Sequence, residues 1–270
     1  MRGLLVVAAL AATPALAQDR VVVAGSALCE VVAALGQVDR VVGRDTTCMY
    51  PEVFAGLPDV GYLRALSPEG LLSLDPDLIL ADVDAGPPAT MDLVAASAVP
   101  VVRIAADFTE AGVIARIEGV AEALGVDPSP LVGSVTEGFA TLAEARAAAD
   151  HPRVLFILSA AGGRVMAAGQ GTAAQGILTL AGAQNVLDGF EGYRPLTDEA
   201  IAAAAPDAIL MMDRSGDHAL DDAAILAHPA LGLTPAAQNG RIVRMDGALL
   251  LGFGPRTPEA ALALIRALEG

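Results

Sequence analysis

Tyr62 and Arg64, in Gly61-Tyr62-Leu63-Arg64-Ala65-Leu66-Ser67, are the residues whose types and spacing carry the most definite chemistry. A phenolate oxygen is a good ligand for ferric iron, including the axial position of ferric haem. Free tyrosine titrates near 10, so ligation near neutrality requires a stabilised tyrosinate. Ferric iron supplies most of that stabilisation, and a neighbouring guanidinium favours the ionised form further. Arginine also grips carboxylates, such as haem propionates, through paired hydrogen bonds. These residues permit haem without singling it out, and ordinary packing is the simpler use of a loop tyrosine. A second Gly-Tyr with a following arginine occurs at Gly192-Tyr193-Arg194; packing explains that one equally well.

Other chemistries fare worse. The chain has 270 residues, 16 Lys+Arg against 32 Asp+Glu, and a net charge of −16, which argues against a nucleic-acid partner. Every basic residue is arginine, so a Schiff-base or P-loop lysine is excluded. Three histidines are too few for a multi-histidine metal site. His151 and His228 both precede proline and read as structural, whereas His218, beyond a predicted strand, either reaches a cleft as a ligand or lies on the surface. Gly25-Ser26-Ala27-Leu28-Cys29 is not the Gly-x-Ser-x-Gly elbow of a hydrolase, and no lysine follows the glycine-rich stretch 161–171. The chain is therefore expected not to be an enzyme; an exported enzyme is the rival from another class.

Residues 1–17 read as a secretory signal: Arg2, an apolar run from Leu4 to Ala12, then Ala15-Leu16-Ala17. The alternative is an N-terminal core strand. No segment is long and apolar enough for an ordinary membrane helix, and a soluble periplasmic monomer is expected. Cys29 and Cys48 are the only cysteines. In an oxidising compartment they either pair across one edge of a sheet or stay as two partly buried thiols.

Apolar runs of strand length at 21–24, 41–42, 78–81, 99–104, 154–158, 208–212 and 242–245, most of them continuous rather than alternating, read as strands of the kind that helices bury on both faces. Alternation with helical stretches such as 30–35 and 112–124 predicts α/β architecture, two Rossmann-like lobes with mainly parallel sheets. Leu131, Val135, Phe139 and Leu142 lie on one helix face after Pro128-Ser129-Pro130, and His151-Pro152 ends that helix. At about 1.5 Å per residue it is roughly 28 Å long. The expected division is an N-terminal lobe at 18–127, a linking helix at 128–150 and a C-terminal lobe at 151–270; one continuous domain containing that helix is the alternative.

The two halves repeat. Ser67-Pro68-Glu69-Gly70-Leu71 and Pro76-Asp77-Leu78 match Thr197-Asp198-Glu199-Ala200-Ile201 and Pro206-Asp207-Ala208. Each copy is a Ser/Thr cap, an acid in the first turn, a short helix and a Pro-Asp turn into a strand. Leu35-Gly36 similarly anticipates Ala181-Gly182. The first half carries extra chain at 44–66, where Tyr62 and Arg64 lie.

At these residues the chain resembles the haem-binding periplasmic proteins of ABC-type haem importers, of the helix-linked (class III) periplasmic binding protein family. The matching stretches include Gly43-Arg44-Asp45-Thr46-Thr47, Leu57-Pro58-Asp59-Val60-Gly61-Tyr62-Leu63-Arg64, Gly189-Phe190-Glu191-Gly192-Tyr193 and Gly252-Phe253-Gly254-Pro255-Arg256-Thr257. The likeness spans essentially the whole mature chain. It implies one or two haems between the lobes, Tyr62 as axial iron ligand, Arg64 in support, and Tyr193 and Arg256 at the pocket. Some members add a second-lobe histidine, but here that loop reads Ser159-Ala160-Ala161-Gly162-Gly163, so the second axial ligand stays open. It also implies that Glu69 and Glu199 dock against a dimeric permease, although each acid equally suits its helix dipole. Cobalamin or a ferric siderophore is the alternative cargo.

Overall fold

The computed structural model describes residues 19–105, 107–213 and 221–270; the signal stretch 1–17 and His218 lie outside them. Four parallel strands form the first sheet: β1 (Val21–Ala24), β2 (Val41–Arg44), β3 (Leu78–Asp82) and β4 (Val101–Ile104), in the order β2-β1-β3-β4. Val21 to Ala24 are fully buried, as the absence of alternation predicted. Helices α1 (Ser26–Ala34), α2 (Pro68–Leu72), α3 (Pro88–Ala95) and α4 (Glu110–Leu124) follow β1, β2, β3 and β4 in turn.

Next comes α5 (Ser129–Ala148), whose Val135, Phe139 and Leu142 are buried. Beyond it lie β5 (Arg153–Ser159), β6 (Met166–Ala168), α6 (Ala173–Leu180), β7 (Gln184–Asn185), β8 (Tyr193–Pro195), α7 (Asp198–Ala204), β9 (Ala208–Asp213), α8 (Asp222–Ala227), α9 (Pro235–Gln238), β10 (Ile242–Asp246), α10 (Gly247–Leu251) and α11 (Thr257–Glu269). The second sheet runs β10-β9-β5-β6-β8, with β7 also on β5. β10, β9, β5 and β7 pair in parallel, while β6 is antiparallel to β5 and to β8. The fold is thus two α/β lobes joined by one long helix, with α11 of the second lobe packed along α5.

The internal repeat extends to the backbone. Ser67 caps α2 by accepting from the Gly70 amide, and Thr197 caps α7 by accepting from the Ala200 amide. Asp75 and Ala205, at matching positions after these helices, both have positive φ (46° and 39°). Gly36 and Gly182, which follow α1 and α6, have φ of 70° and 75°. The β6–β8 ribbon breaks the symmetry. Its strands are three residues each, Met-Ala-Ala and Tyr-Arg-Pro, too short to stand out as strands in the sequence.

The lobes are also joined by side chains. Arg116, on α4, is 3% exposed and donates to the carbonyls of Gly252 (2.8 Å) and Phe253 (3.2 Å) in the second lobe. In the opposite direction Arg256 makes a two-pronged pair with Glu30 of α1, at 2.9 and 2.5 Å. Phe108 and Phe253 meet edge to face with centroids 5.1 Å apart.

Candidate functional site

A cavity of about 760 Å³ lies between the lobes. Its walls come from the chain just beyond the carboxyl ends of strands: Gly25 after β1, Asp82 to Asp84 at β3, Met212 in β9 and Gly247 after β10. Ligands of open α/β sheets occupy this kind of crevice, and the volume suits a small-molecule site.

The loop at 45–66 forms one rim. Arg44, 8% exposed, pairs with Asp59 at 2.6 Å, and their backbones bond through Arg44 N to Pro58 O and Val60 N to Arg44 O. Asp45 is fully buried and accepts from the amides of Gly25 (2.9 Å) and Thr47 (3.0 Å). Burial pushes its carboxyl above the ordinary range, while those amides pull it back. Cys48 is bonded to Cys29 of α1, with Cα atoms 5.8 Å apart, so the loop is covalently tied to the first helix.

Gly61 has φ of +106°, a conformation that L side chains rarely adopt, and it delivers the chain into the Tyr62–Ala65 turn, closed by Ala65 N to Tyr62 O at 2.7 Å. Leu63 and Leu66 point into the core at 8% and 3% exposure, leaving Tyr62 and Arg64 outward. Arg64 Nη1 lies 3.2 Å from the Tyr62 phenol oxygen, and Arg64 Nη2 donates to Asp84 at 2.9 Å. The Arg64 guanidinium is held above its usual value, first by Tyr62, with burial opposing and Asp84 reinforcing. Arg64 lines the cavity, whereas Tyr62, 46% exposed, is not among the lining residues and is connected to the cavity through Arg64.

Tyr193 lines the opposite wall, placed there by the β6–β8 ribbon and packed edge to face on Phe156 at 6.5 Å. Burial raises its phenol, while hydrogen bonds with the Ala174 amide and the Thr172 hydroxyl, together with the charge of Arg64, pull it down. Thr172 caps α6, so the tyrosine hydroxyl sits at that helix's start.

Arg256 is engaged elsewhere. Besides Glu30, its guanidinium lies 3.5 Å from the centroid of the Tyr50 ring, and it is not among the residues lining the cavity. Glu69 and Glu199 are exposed in the first turns of α2 and α7. The Glu199 carboxyl is held below its ordinary range by its own backbone amide and by Thr197. His151 Nδ1 contacts the Gly182 carbonyl at 2.8 Å, and His228 Nδ1 accepts from the Ala230 amide. Among the described residues no group of three or more His, Cys, Asp or Glu is arranged to hold a metal ion.

Sequence reasoning missed four members of this neighbourhood: Asp82, Asp84, Arg116 and Tyr50. Asp84 and Arg116 carried no local signal. Tyr50 did, because it is one of only three tyrosines and shares the inserted stretch with Tyr62.

Residues 21–249 match the family model described as periplasmic binding protein. Among solved structures, the chain is similar to the periplasmic heme-binding protein BhuT in complex with two hemes, at 45% identity over 92% of this chain and 97% of that one, with a TM-score of 0.88. It is similar also to the periplasmic heme-binding protein RhuT from Roseiflexus sp. RS-1, at 33% identity over 93% and 98% of the two chains, with a TM-score of 0.88. A curated relative, the uncharacterized ABC transporter substrate-binding lipoprotein YvrC of Bacillus subtilis (strain 168), is 27% identical over 88% of this chain and 76% of its own length.

Proposed function

Because the chain belongs to the periplasmic binding protein family, we propose that it captures ferric haem between its lobes and hands it to an ABC permease in the inner membrane. The observation that carries this reading is the Tyr62 phenol held 3.2 Å from the guanidinium of Arg64, a residue that lines the inter-lobe cavity. Its support is the 45% identity over nearly the full length of a protein that binds two hemes.

The residues present fit that cargo. Tyr62 is the axial ligand: a phenolate is a hard anionic donor for ferric iron. Arg64 stabilises the phenolate and offers its remaining donors to a propionate. Tyr193 closes the opposite face. Arg256 acts on the pocket from behind, by fixing Tyr50 and Glu30. The exposed Glu69 and Glu199, at equivalent positions of the two lobes, meet the two halves of the permease. Residues 1–17 direct export; the mature chain then comprises the lobe at 18–127, the linking helix at 128–150 and the lobe at 151–270, acting as a monomer. Among the described residues no helix is long and apolar enough to cross a membrane. The family's members bind rather than transform their ligands, and the roles given to these residues require no catalysis.

Titration of haem-free mature protein with ferric haem, followed in the visible, tests the reading. A saturable tyrosinate-ligated spectrum that Tyr62→Ala abolishes or converts supports it, and the endpoint counts the haems. Absence of any saturable change refutes haem as cargo and directs the same titration to cobalamin and ferric siderophores.

A further inference from the structure

The turn that follows β3 is pinned from several sides. The Asp84 amide donates to Asp82 Oδ1 at 3.0 Å, and the Ala85 amide donates to the Asp82 carbonyl at 2.9 Å. Arg103, on β4, donates to the carbonyls of both Val83 and Ala85, the residues on either side of Asp84. Asp82 Oδ2 lies 3.3 Å from Arg116, whose other hydrogen bonds reach the second lobe.

This turn is also bonded to the Tyr62 loop. The Gly86 amide donates to the Leu63 carbonyl at 2.9 Å, and the Leu66 amide donates to the Gly86 carbonyl at 2.8 Å. The backbone therefore fixes the span between Asp84 and Tyr62, and one side chain bridges it. Arg64 spans the gap with Nη2 2.9 Å from Asp84 Oδ2 and Nη1 3.2 Å from the Tyr62 oxygen.

We propose that Asp84 is a positioning residue for haem binding: its carboxylate holds the Arg64 guanidinium in the one orientation that presents Nη1 to the Tyr62 phenolate. The inference rests on Tyr62 being the iron ligand. An arginine has four side-chain torsions and a planar fork, so a hydrogen bond to one edge of the fork orients the other. The Arg64–Asp84 pair is more than half exposed and contributes little to stability. Its role is directional. Without Asp84 the guanidinium rotates toward solvent, the phenolate loses its donor, and the iron–oxygen bond changes character.

The test uses the full mature chain loaded with ferric haem, as wild type, Asp84→Ala, Asp84→Asn and Tyr62→Phe. The readouts are the phenolate-to-iron charge-transfer band, the rate of haem loss to excess apomyoglobin, and the melting temperature of the haem-free protein. Asp84→Ala is expected to shift the band and to accelerate haem loss roughly threefold to tenfold, with the haem-free melting temperature moving by no more than about 2 °C. Asp84→Asn keeps an oxygen acceptor for the guanidinium and is expected to restore most of the wild-type band and rate. A wild-type band and rate in Asp84→Ala, or an Asn variant as defective as the Ala variant, overturns the positioning role. If Tyr62→Phe retains the wild-type spectrum, the ligand assignment itself fails and the inference falls with it. If Tyr62→Phe changes the spectrum while Asp84→Ala does not, only the role of Asp84 fails.

Discussion

Arg256→Ala is expected to destabilise the protein substantially while leaving haem binding by the folded molecules nearly intact. Glu30 is 7% exposed, and its carboxylate receives both prongs of the Arg256 guanidinium. Removing one partner of a fully buried pair costs about 3–5 kcal/mol, mostly from the charge left behind. The Arg256 side chain is itself 24% exposed, so water reaches the vacated site and the expected loss falls to about 2–3 kcal/mol. Loss of the cation over the Tyr50 ring adds about 0.5–1 kcal/mol. The total, about 3 kcal/mol, corresponds to a fall in melting temperature of roughly 6–12 °C for a chain of this size.

Urea unfolding of the mature chain, followed by far-ultraviolet circular dichroism, measures the loss directly. Replacing both partners, Arg256→Met with Glu30→Leu, removes the stranded carboxylate. It is expected to cost at least 1 kcal/mol less than the sum of the single changes. A cost below 1 kcal/mol for Arg256→Ala, or strict additivity in the cycle, would refute the argument from burial. Haem affinity measured where the variant is fully folded should fall less than about threefold, because the Arg256 guanidinium is already committed to Glu30 and to the Tyr50 ring. A fall of tenfold or more would instead make Arg256 a direct contact of the cargo.

Three further outcomes are expected. Unreduced native protein should show no reactive thiol, and Cys48→Ser, which opens the link across a sequence separation of 19, should lower stability by roughly 3 kcal/mol in urea unfolding; two titratable thiols would contradict this. Asp45 has its folded-state pKa raised by burial, so its contribution to stability is present below the ordinary aspartate range and is lost as pH rises through the folded value. Asp45→Asn should therefore gain on the wild type as pH rises above the ordinary aspartate range, and a change of the opposite sign in paired unfolding curves would show that the amides outweigh desolvation. Glu69→Ala combined with Glu199→Ala should leave haem affinity unchanged and weaken uptake in cells, whereas normal uptake by the double variant would remove these acids from permease docking.

Some of this architecture is legible without coordinates because it depends on neighbouring residues. Apolar runs of strand length mark the strands, and every predicted run coincides with or overlaps a strand of the two sheets, although β4 and β10, at the sheet edges, are only partly buried. The helix expected at 128–150 is α5, Ser129–Ala148, with Val135, Phe139 and Leu142 of its predicted face buried and Leu131 half-buried. The duplicated cap, helix and Pro-Asp turn is local too, and the shared positive φ at Asp75 and Ala205 follows the same repeat. The Tyr62-x-Arg64 pair is close enough in sequence for its chemistry to be read directly, and the coordinates add the 3.2 Å approach.

The tertiary structure alone decided which distant groups meet. Arg256 and Glu30 are 226 positions apart, and Arg116 is 136 positions from the Gly252 carbonyl it holds. Nothing in the residues beside either arginine marks its partner, because the path of two lobes folded around α5 and α11 brings them together. The same holds for Asp84, which reaches Arg64 only because β3 ends beside the inserted loop. It holds also for the short β6–β8 ribbon, whose pairing with β5 places Tyr193 on the wall of the cavity. Local chemistry depends on a few covalently adjacent residues and survives in the sequence. A long-range charge pair or a three-residue ribbon is stabilised by burial and pairing that exist only after the chain has folded.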